Sequence, residues 1–487
     1  MQKVIIQIQK YKLPLTGFIS FAAGALTVLA MNSQFQFSTE ADPQEIQVGA
    51  LEPVSVPASA PAEEESESKN ESSLPFWKSA QNFQSPIDLN VPEIMDIEPE
   101  AAPEITSETV DQILSDYQNR IGDDFEIPSL IFNQTKFWFR VYTEFDSNKK
   151  IIHDSLHPHI ILDVVDISDV MSRPSRVRWL NTVKAEKMVS KRLAEIRIKL
   201  KKMARKKKEN MDEEELAWLS QYEEIKGNQK KIILTSAQNL RIQTGQKNFF
   251  QNGLSISGRY LDGMESIFKE RGLPVELTRL PFVESSFVIG ATSKVGAAGI
   301  WQFMPGIGRQ FMMVNDRIDE RRNPWKATEA AAKLLKENYI ILHKKWGLAL
   351  TAYNHGPGGV RRAMEVTGSR DIAKIVRSYR SRNFDFASSN FFTCFLAALH
   401  AQMYRDLLFP DHVYEPALMS DSMKLKQSYR PKHLVELTGL SAEQILSYNP
   451  ELDRAFRRNE IVPKGYRLFV PIEAKLSMTK PIAAKEP

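Results

Sequence analysis

The sequence predicts a mainly α-helical protein with a small α+β module near its C-terminal end, and three observations carry that prediction. No proline occurs between Pro174 and Pro274. Within that interval Val183, Met188, Leu193, Ile196, Ile198 and Met203 space their apolar side chains as long amphipathic helices do. After Pro410 the pattern changes to short strand-like and helix-like runs. The chain has 487 residues, 42% of them hydrophobic and 25% charged, an ordinary globular composition with room for two or three domains. A formal charge of +4 is small for this length, so nothing in the total points to a nucleic-acid partner.

From the N-terminus, Lys3, Lys10 and Lys12 precede an uncharged apolar stretch over residues 13–31, and polar, then acidic residues follow it. This asymmetry orients the first residues toward the cytoplasm and implies export of the remainder. Residues 1–37 are therefore expected to be a signal anchor in the inner membrane or a cleaved signal peptide. At the short limit for a span of ~20 residues, the stretch leaves both open. Pro, Ser, Glu and Ala dominate residues 38–109, a composition unable to bury enough apolar area to fold, so this segment is expected to be a tether.

Residues 110–246 are expected to form a helical extension. Its aromatic stretch Phe137-Trp138-Phe139-Arg140-Val141-Tyr142 marks the return of order. The cations Lys201, Lys202, Arg205, Lys206, Lys207 and Lys208 are followed by Asp212, Glu213, Glu214 and Glu215. Opposite charges so close along a helix predict a solvated, self-paired face. Arg271-Gly272-Leu273-Pro274 reads as a helix stop and restart, and Pro281 ends or kinks the next helix just before Glu284.

The chemistry-bearing residues begin there. Glu284 is flanked by Phe282, Val283 and Phe287, and desolvation of a carboxyl in such company raises its pKa, making it a proton donor. Ser285 and Ser286 offer hydroxyls to the carboxyl or to a substrate. The small residues from Ala291 to Gly299 suit close approach of backbone to a ligand, Trp301 can stack on a sugar face, and the Gln302 amide can both donate and accept. Tyr353 shares a helix face with Leu348, Ala349 and Ala352 and reads from pattern alone as core. Asn354 and His355 follow it, and His355 reads as a solvated loop residue. Cys394, the single cysteine, lies in an apolar run and is expected in a core helix; one cysteine excludes an internal disulfide or a Cys-based metal cluster.

Together, Val283-Glu284-Ser285-Ser286-Phe287, Gly296-Ala-Ala-Gly299-Ile-Trp301-Gln302-Phe-Met-Pro305, Asp319-Glu-Arg-Arg322-Asn-Pro324 and Ala352-Tyr353-Asn354-His-Gly356 resemble, in order and spacing, the lytic transglycosylases of the soluble lytic transglycosylase superfamily, most closely the membrane-bound murein transglycosylase D type. The resemblance covers roughly residues 247–409. It implies a lysozyme-like helical catalytic domain acting on peptidoglycan glycan strands in the cell envelope, with no metal or organic cofactor. It implies Glu284 as the sole acid/base, Ser285 and Tyr353 as catalytic support, and Ser286, Gly299, Trp301, Gln302 and Asn354 as the substrate-binding set. Phe391 and Gly306 depart from it, standing where the family often has tyrosine and serine.

The last part, residues 410–475, is expected to run strand (423–429), helix (431–438), helix from Ser441, and strand (466–471), resembling a degenerate LysM module without the usual Gly-Asp opening; residues 476–487 are a tail. A muramidase-type hydrolase of the same fold, in which water attacks, is the alternative enzyme; a silent peptidoglycan-binding scaffold recruiting other cell-wall proteins is the alternative from a different class.

Overall fold

The computed structural model describes residues 106–174 and 178–474. The segment 1–37, nearly all of the tether and the tail beyond residue 474 lie outside the described residues. Among the described residues no helix is long and apolar enough to cross a membrane.

Helix α1 (Ser107–Leu114) starts where the Thr106 hydroxyl accepts from the Thr109 amide. Helix α2 (Phe132–Thr143) buries Phe137, Trp138, Phe139, Val141 and Tyr142 in the main core. The chain then departs from the expected all-helical extension. Strands β1 (Lys149–Asp154), β2 (Ile161–Asp166) and β3 (Leu240–Thr244) form an antiparallel sheet in the order β2-β1-β3. The physical reason is local: Lys-Lys-Ile151-Ile152 and Ile160-Ile-Leu-Asp-Val-Val165 are too short for buried helices and rich in β-branched residues. Alternation sends Ile151 into the main core and Ile152 into a second one on the other face.

That second core is closed by helices α4 (Arg178–Met203), α5 (Glu213–Glu223) and α6 (Gln229–Gln238), reached after the short α3 (Ser168–Ser172). Helix α5 begins with a capping box in which Asp212 and Glu215 each accept from the other's amide. The expected charge pairing is present. Lys206 meets Glu215, Lys199 meets Glu214 and Asp212, and Lys208 meets Glu223.

Helices α7 (Lys247–Ser257), α8 (Leu261–Lys269), α9 (Leu280–Glu284), α10 (Pro305–Phe311), α11 (Pro324–Ile341), α12 (Trp346–His355), α13 (Pro357–Thr367), α14 (Ile372–Ser378), α15 (Phe386–Met403) and α16 (Arg405–Leu408) follow. Helix α15 is apolar on nearly all sides and is accordingly buried along most of its length, Cys394 included. Helices α2, α9 and α12 all pack on it.

The C-terminal part follows the expected order: β4 (Ser420–Lys424), α17 (Pro431–Thr438), α18 (Ala442–Tyr448), a short α19 (Asp453–Arg457) and β5 (Arg467–Pro471), the strands antiparallel with Ser422 opposite Phe469. The first strand lies earlier than expected. Beyond Lys424, Leu425 still exchanges backbone bonds with Tyr466 and with Gly465, where φ is 81°, and Tyr429 bridges to Val462.

Candidate active site

Glu284 is the last residue of α9, a helix begun by Leu280-Pro281 and buried over all five of its positions. Its side chain is 7% exposed, and no described residue hydrogen-bonds its carboxyl. Burial alone pushes the group from the ordinary carboxylate range up to about 8, because nothing nearby offsets the cost of charging it. A carboxyl in that state is protonated at neutral pH and close enough to titrating to release and recover its proton.

Two phenols stand within electrostatic reach of it. Tyr353 on α12 and Tyr142 on α2 are both raised well above the ordinary phenol value, by burial first. At Tyr142 the neighbouring Cys394 thiol raises it further, and the Glu284 charge adds to each. Tyr353 donates its phenolic proton to the Trp301 carbonyl at 2.7 Å. Ser285, expected as catalytic support, donates to the Ile300 carbonyl at 2.9 Å, tying the end of α9 to the loop after it. Immediately beyond, Ser286 and Phe287 adopt φ of 49° and 58°. Left-handed backbone at two consecutive non-glycine residues is costly, and here it turns the chain sharply away from the carboxyl.

The loop over residues 296–303 is tied to this site by the Ile300 and Trp301 carbonyls that accept from Ser285 and Tyr353. Gly299 has φ of 78°, and a Cβ on it would stand 1.8 Å from the Arg321 carbonyl oxygen, so glycine is required. Gln302 is 8% exposed and donates its amide to the Gly299 carbonyl at 2.8 Å, while its Oε1 has no donor among the described residues. The outer members are helical: Asn354 is exposed and accepts from the Ser388 hydroxyl at 3.3 Å, and that same hydroxyl accepts from His355 Nδ1 at 3.0 Å.

Two expectations need correction. Trp301 offers no face to a sugar. Its ring is fully buried, stacks on Phe268 with centroids 5.9 Å apart, and donates Nε1–H to Thr328 at 2.9 Å. His355 is not a solvated loop residue but closes α12, half-buried against the edge of Phe384. The sequence reading missed Tyr142. Its signal was the pairing of Trp138 and Tyr142 one helical turn apart, an aromatic pair that marks a buried face. Asn323, at the end of the Arg321–Pro324 turn, caps the next helix, accepting from the Trp325 and Lys326 amides at the start of α11.

A cavity of about 1020 Å³ lies elsewhere, walled in part by Asn133, His157, His159, Arg377 and His400. No residue of the four motifs lines it, so the site is located by the buried carboxyl rather than by cavity size. Among the described residues no cluster of three or more metal-ligating side chains occurs.

The four motifs fall within a known domain: residues 265–376 match the model of the Transglycosylase SLT domain. The chain is homologous to the membrane-bound lytic murein transglycosylase D of Escherichia coli (strain K12), at 39% identity over 103 residues that cover 21% of this chain and 23% of that protein. The protein of the same name from Escherichia coli O6:H1 matches to the same extent. The aligned stretch is thus about a quarter of the length of these relatives. A solved structure of an inactive mutant of lytic transglycosylase Slt from Pseudomonas aeruginosa covers 64% of this chain and 45% of its own, at 17% identity and a TM-score of 0.28.

Proposed function

We propose that the protein is a peptidoglycan lytic transglycosylase that cleaves the β-1,4 bond between N-acetylmuramic acid and N-acetylglucosamine, with Glu284 as general acid and then general base. The observation that carries this reading is the buried, unpartnered carboxyl raised to about 8 at the end of α9. In the first step the Glu284 proton goes to the glycosidic oxygen as the carbon–oxygen bond breaks, and the substrate's own acetamido group shields the cationic carbon. In the second, the Glu284 carboxylate takes the proton of the muramic acid 6-hydroxyl, whose oxygen bonds to that carbon and closes a 1,6-anhydro ring. Water is not consumed, and tethering of the attacking hydroxyl supplies the entropic advantage of an intramolecular reaction. A second carboxylate, which most glycoside hydrolases use, has no role to fill.

The remaining assignments follow from this chemistry. Tyr353 and Ser285 hold the backing of the carboxyl through the Trp301 and Ile300 carbonyls; Gln302 Oε1 can accept from sugar amides or hydroxyls, and the exposed Asn354 amide can donate to sugar oxygens. Ser286 and Gly299 shape the backbone beside them. Such a substrate places the enzyme in the cell envelope, with residues 1–37 as its link to the inner membrane.

Glu284→Gln keeps the shape and removes the titrating proton. Purified wild type should release muropeptides from sacculi whose mass is one water below that of the hydrolysed product, and the variant should release none. Products carrying the added water, or lysis by the variant, would contradict the mechanism.

A further inference from the structure

The C-terminal module reaches into the catalytic region through one buried carboxylate. Glu451, in the turn between α18 and α19, is 2% exposed. Both of its oxygens accept from Asn323 Nδ2, at 3.0 and 2.9 Å. One of them also takes Lys326 Nζ at 3.2 Å and the Tyr466 hydroxyl. Its backbone carbonyl accepts from the Asp319 amide at 3.3 Å. A carboxylate so far from water is sustained only by this full set of donors, so its contacts fix the segment that supplies them.

That segment is the back of the active-site loop. Asp319 grips Arg321 in a two-point pair, Nε to Oδ1 at 2.7 Å and Nη2 to Oδ2 at 2.8 Å. Arg321 then directs Nη1 to the carbonyls of Gly296 at 2.7 Å and Phe303 at 2.9 Å, the two ends of the loop, while its own carbonyl abuts Gly299. Between those ends lie the Ile300 and Trp301 carbonyls that hold Ser285 and Tyr353 beside Glu284. Every link is a hydrogen bond or an atom-to-atom contact between buried or half-buried groups.

We propose that Glu451 is a positioning residue for the transglycosylase reaction: from the C-terminal module it fixes residues 319–326 and, through Arg321, holds the 296–303 loop closed behind Glu284. The module then serves the chemistry as well as any contact with the wall. The inference rests on the functional reading above, but its central readout does not.

The test compares full-length wild type with Glu451→Gln and Arg321→Lys, each first checked for native circular dichroism. Glu451→Gln loses the charge and the second acceptor for Asn323, and lysine at 321 cannot serve Asp319 and both loop carbonyls together. Leu434→Ala is the control, since Leu434 is buried in the C-terminal module and takes part in none of the relay's hydrogen bonds. Carbon-13 titration of the Glu284 carboxyl should show its midpoint falling by about one unit in the two relay variants, as water reaches the loosened site, and not in the control. The high-pH limb of activity should move with it, and kcat should fall about tenfold with KM nearly unchanged. An unmoved midpoint in both folded relay variants, or an equal shift in Leu434→Ala, would overturn the proposal. Wild type without lytic activity would instead defeat the functional reading, and the titration midpoints would still decide whether the relay exists.

Discussion

The Tyr353 hydroxyl and the Trp301 carbonyl meet at 2.7 Å, and through this bond α12 holds the 296–303 loop. Tyr353→Phe removes the donor and strands a buried carbonyl, which should cost about 1–2 kcal/mol. Urea titration should show that loss, and wall lysis should drop by about tenfold as the loop shifts. A variant matching wild type in both measurements would deny the bond any role.

Glu284 should make the fold less stable in base. The folded state keeps the carboxyl protonated up to about 8, whereas an ordinary glutamate loses its proton far lower, near 4.5. The neutral group's contribution is therefore complete below about 4.5 and is lost as pH rises through 8. Glu284→Gln has no such ionisation, so its advantage in unfolding free energy over wild type should grow from pH 5 to pH 9, by on the order of several kcal/mol at most. Parallel stability curves for the two proteins would show that the carboxyl is not buried as described.

His153 should act in the opposite direction. Its ring lies between Phe137 and Phe386, Nδ1 donates to the Asp154 carbonyl, and Nε2 is buried with no hydrogen-bond partner among the described residues. Burial depresses it from 6.5 to about 3, and His159 and His400 are lowered to about 4 for the same reason. Each favours the fold above 6.5 and ceases to do so as pH falls toward its folded value. His153→Phe keeps an aromatic ring and discards the orphaned nitrogen, so melting temperatures measured from pH 7 to 4 should decline less steeply than in wild type. An unchanged acid slope would remove His153 from the account.

Two glycines should answer alanine in opposite ways. Gly299→Ala meets the Arg321 carbonyl and a left-handed φ, and should cost about 3 kcal/mol or more. Gly306, second in α10, has nothing within 4 Å of an added Cβ, and Gly306→Ala should stabilise by about 0.5–1 kcal/mol. Thermal melts that reversed this order would be incompatible with the loop geometry.

What the sequence makes legible is what neighbouring residues decide. The apolar company of Glu284 lies within three positions of it, the caps of α11 and α18 lie beside their helices, and the burial of α15 is written in its composition. The sheet of the extension is obscured because β1 and β2 are short runs ahead of the proline-free stretch, while their partner β3 is a brief interruption about eighty residues further on within it. Trp301 illustrates a different limit: whether an indole faces a cleft or the core depended on Phe268 and Thr328, neither of them near it in the chain. Tyr142 and Glu451 lie more than a hundred residues from the carboxyl or turn they adjoin, a separation no local pattern encodes.

The packing of α2 and α9 against α15 has a consequence for how such a protein can be recombined. The stretch shared with the SLT domain model, residues 265–376, contains Glu284 but neither α2, which precedes it, nor α15, which follows. Cut out and grafted onto another polypeptide, that stretch would carry Glu284 without α15, on which α9 packs, and without α2, which packs on α15 in turn, so a transplantable cassette should run from α2 through α15.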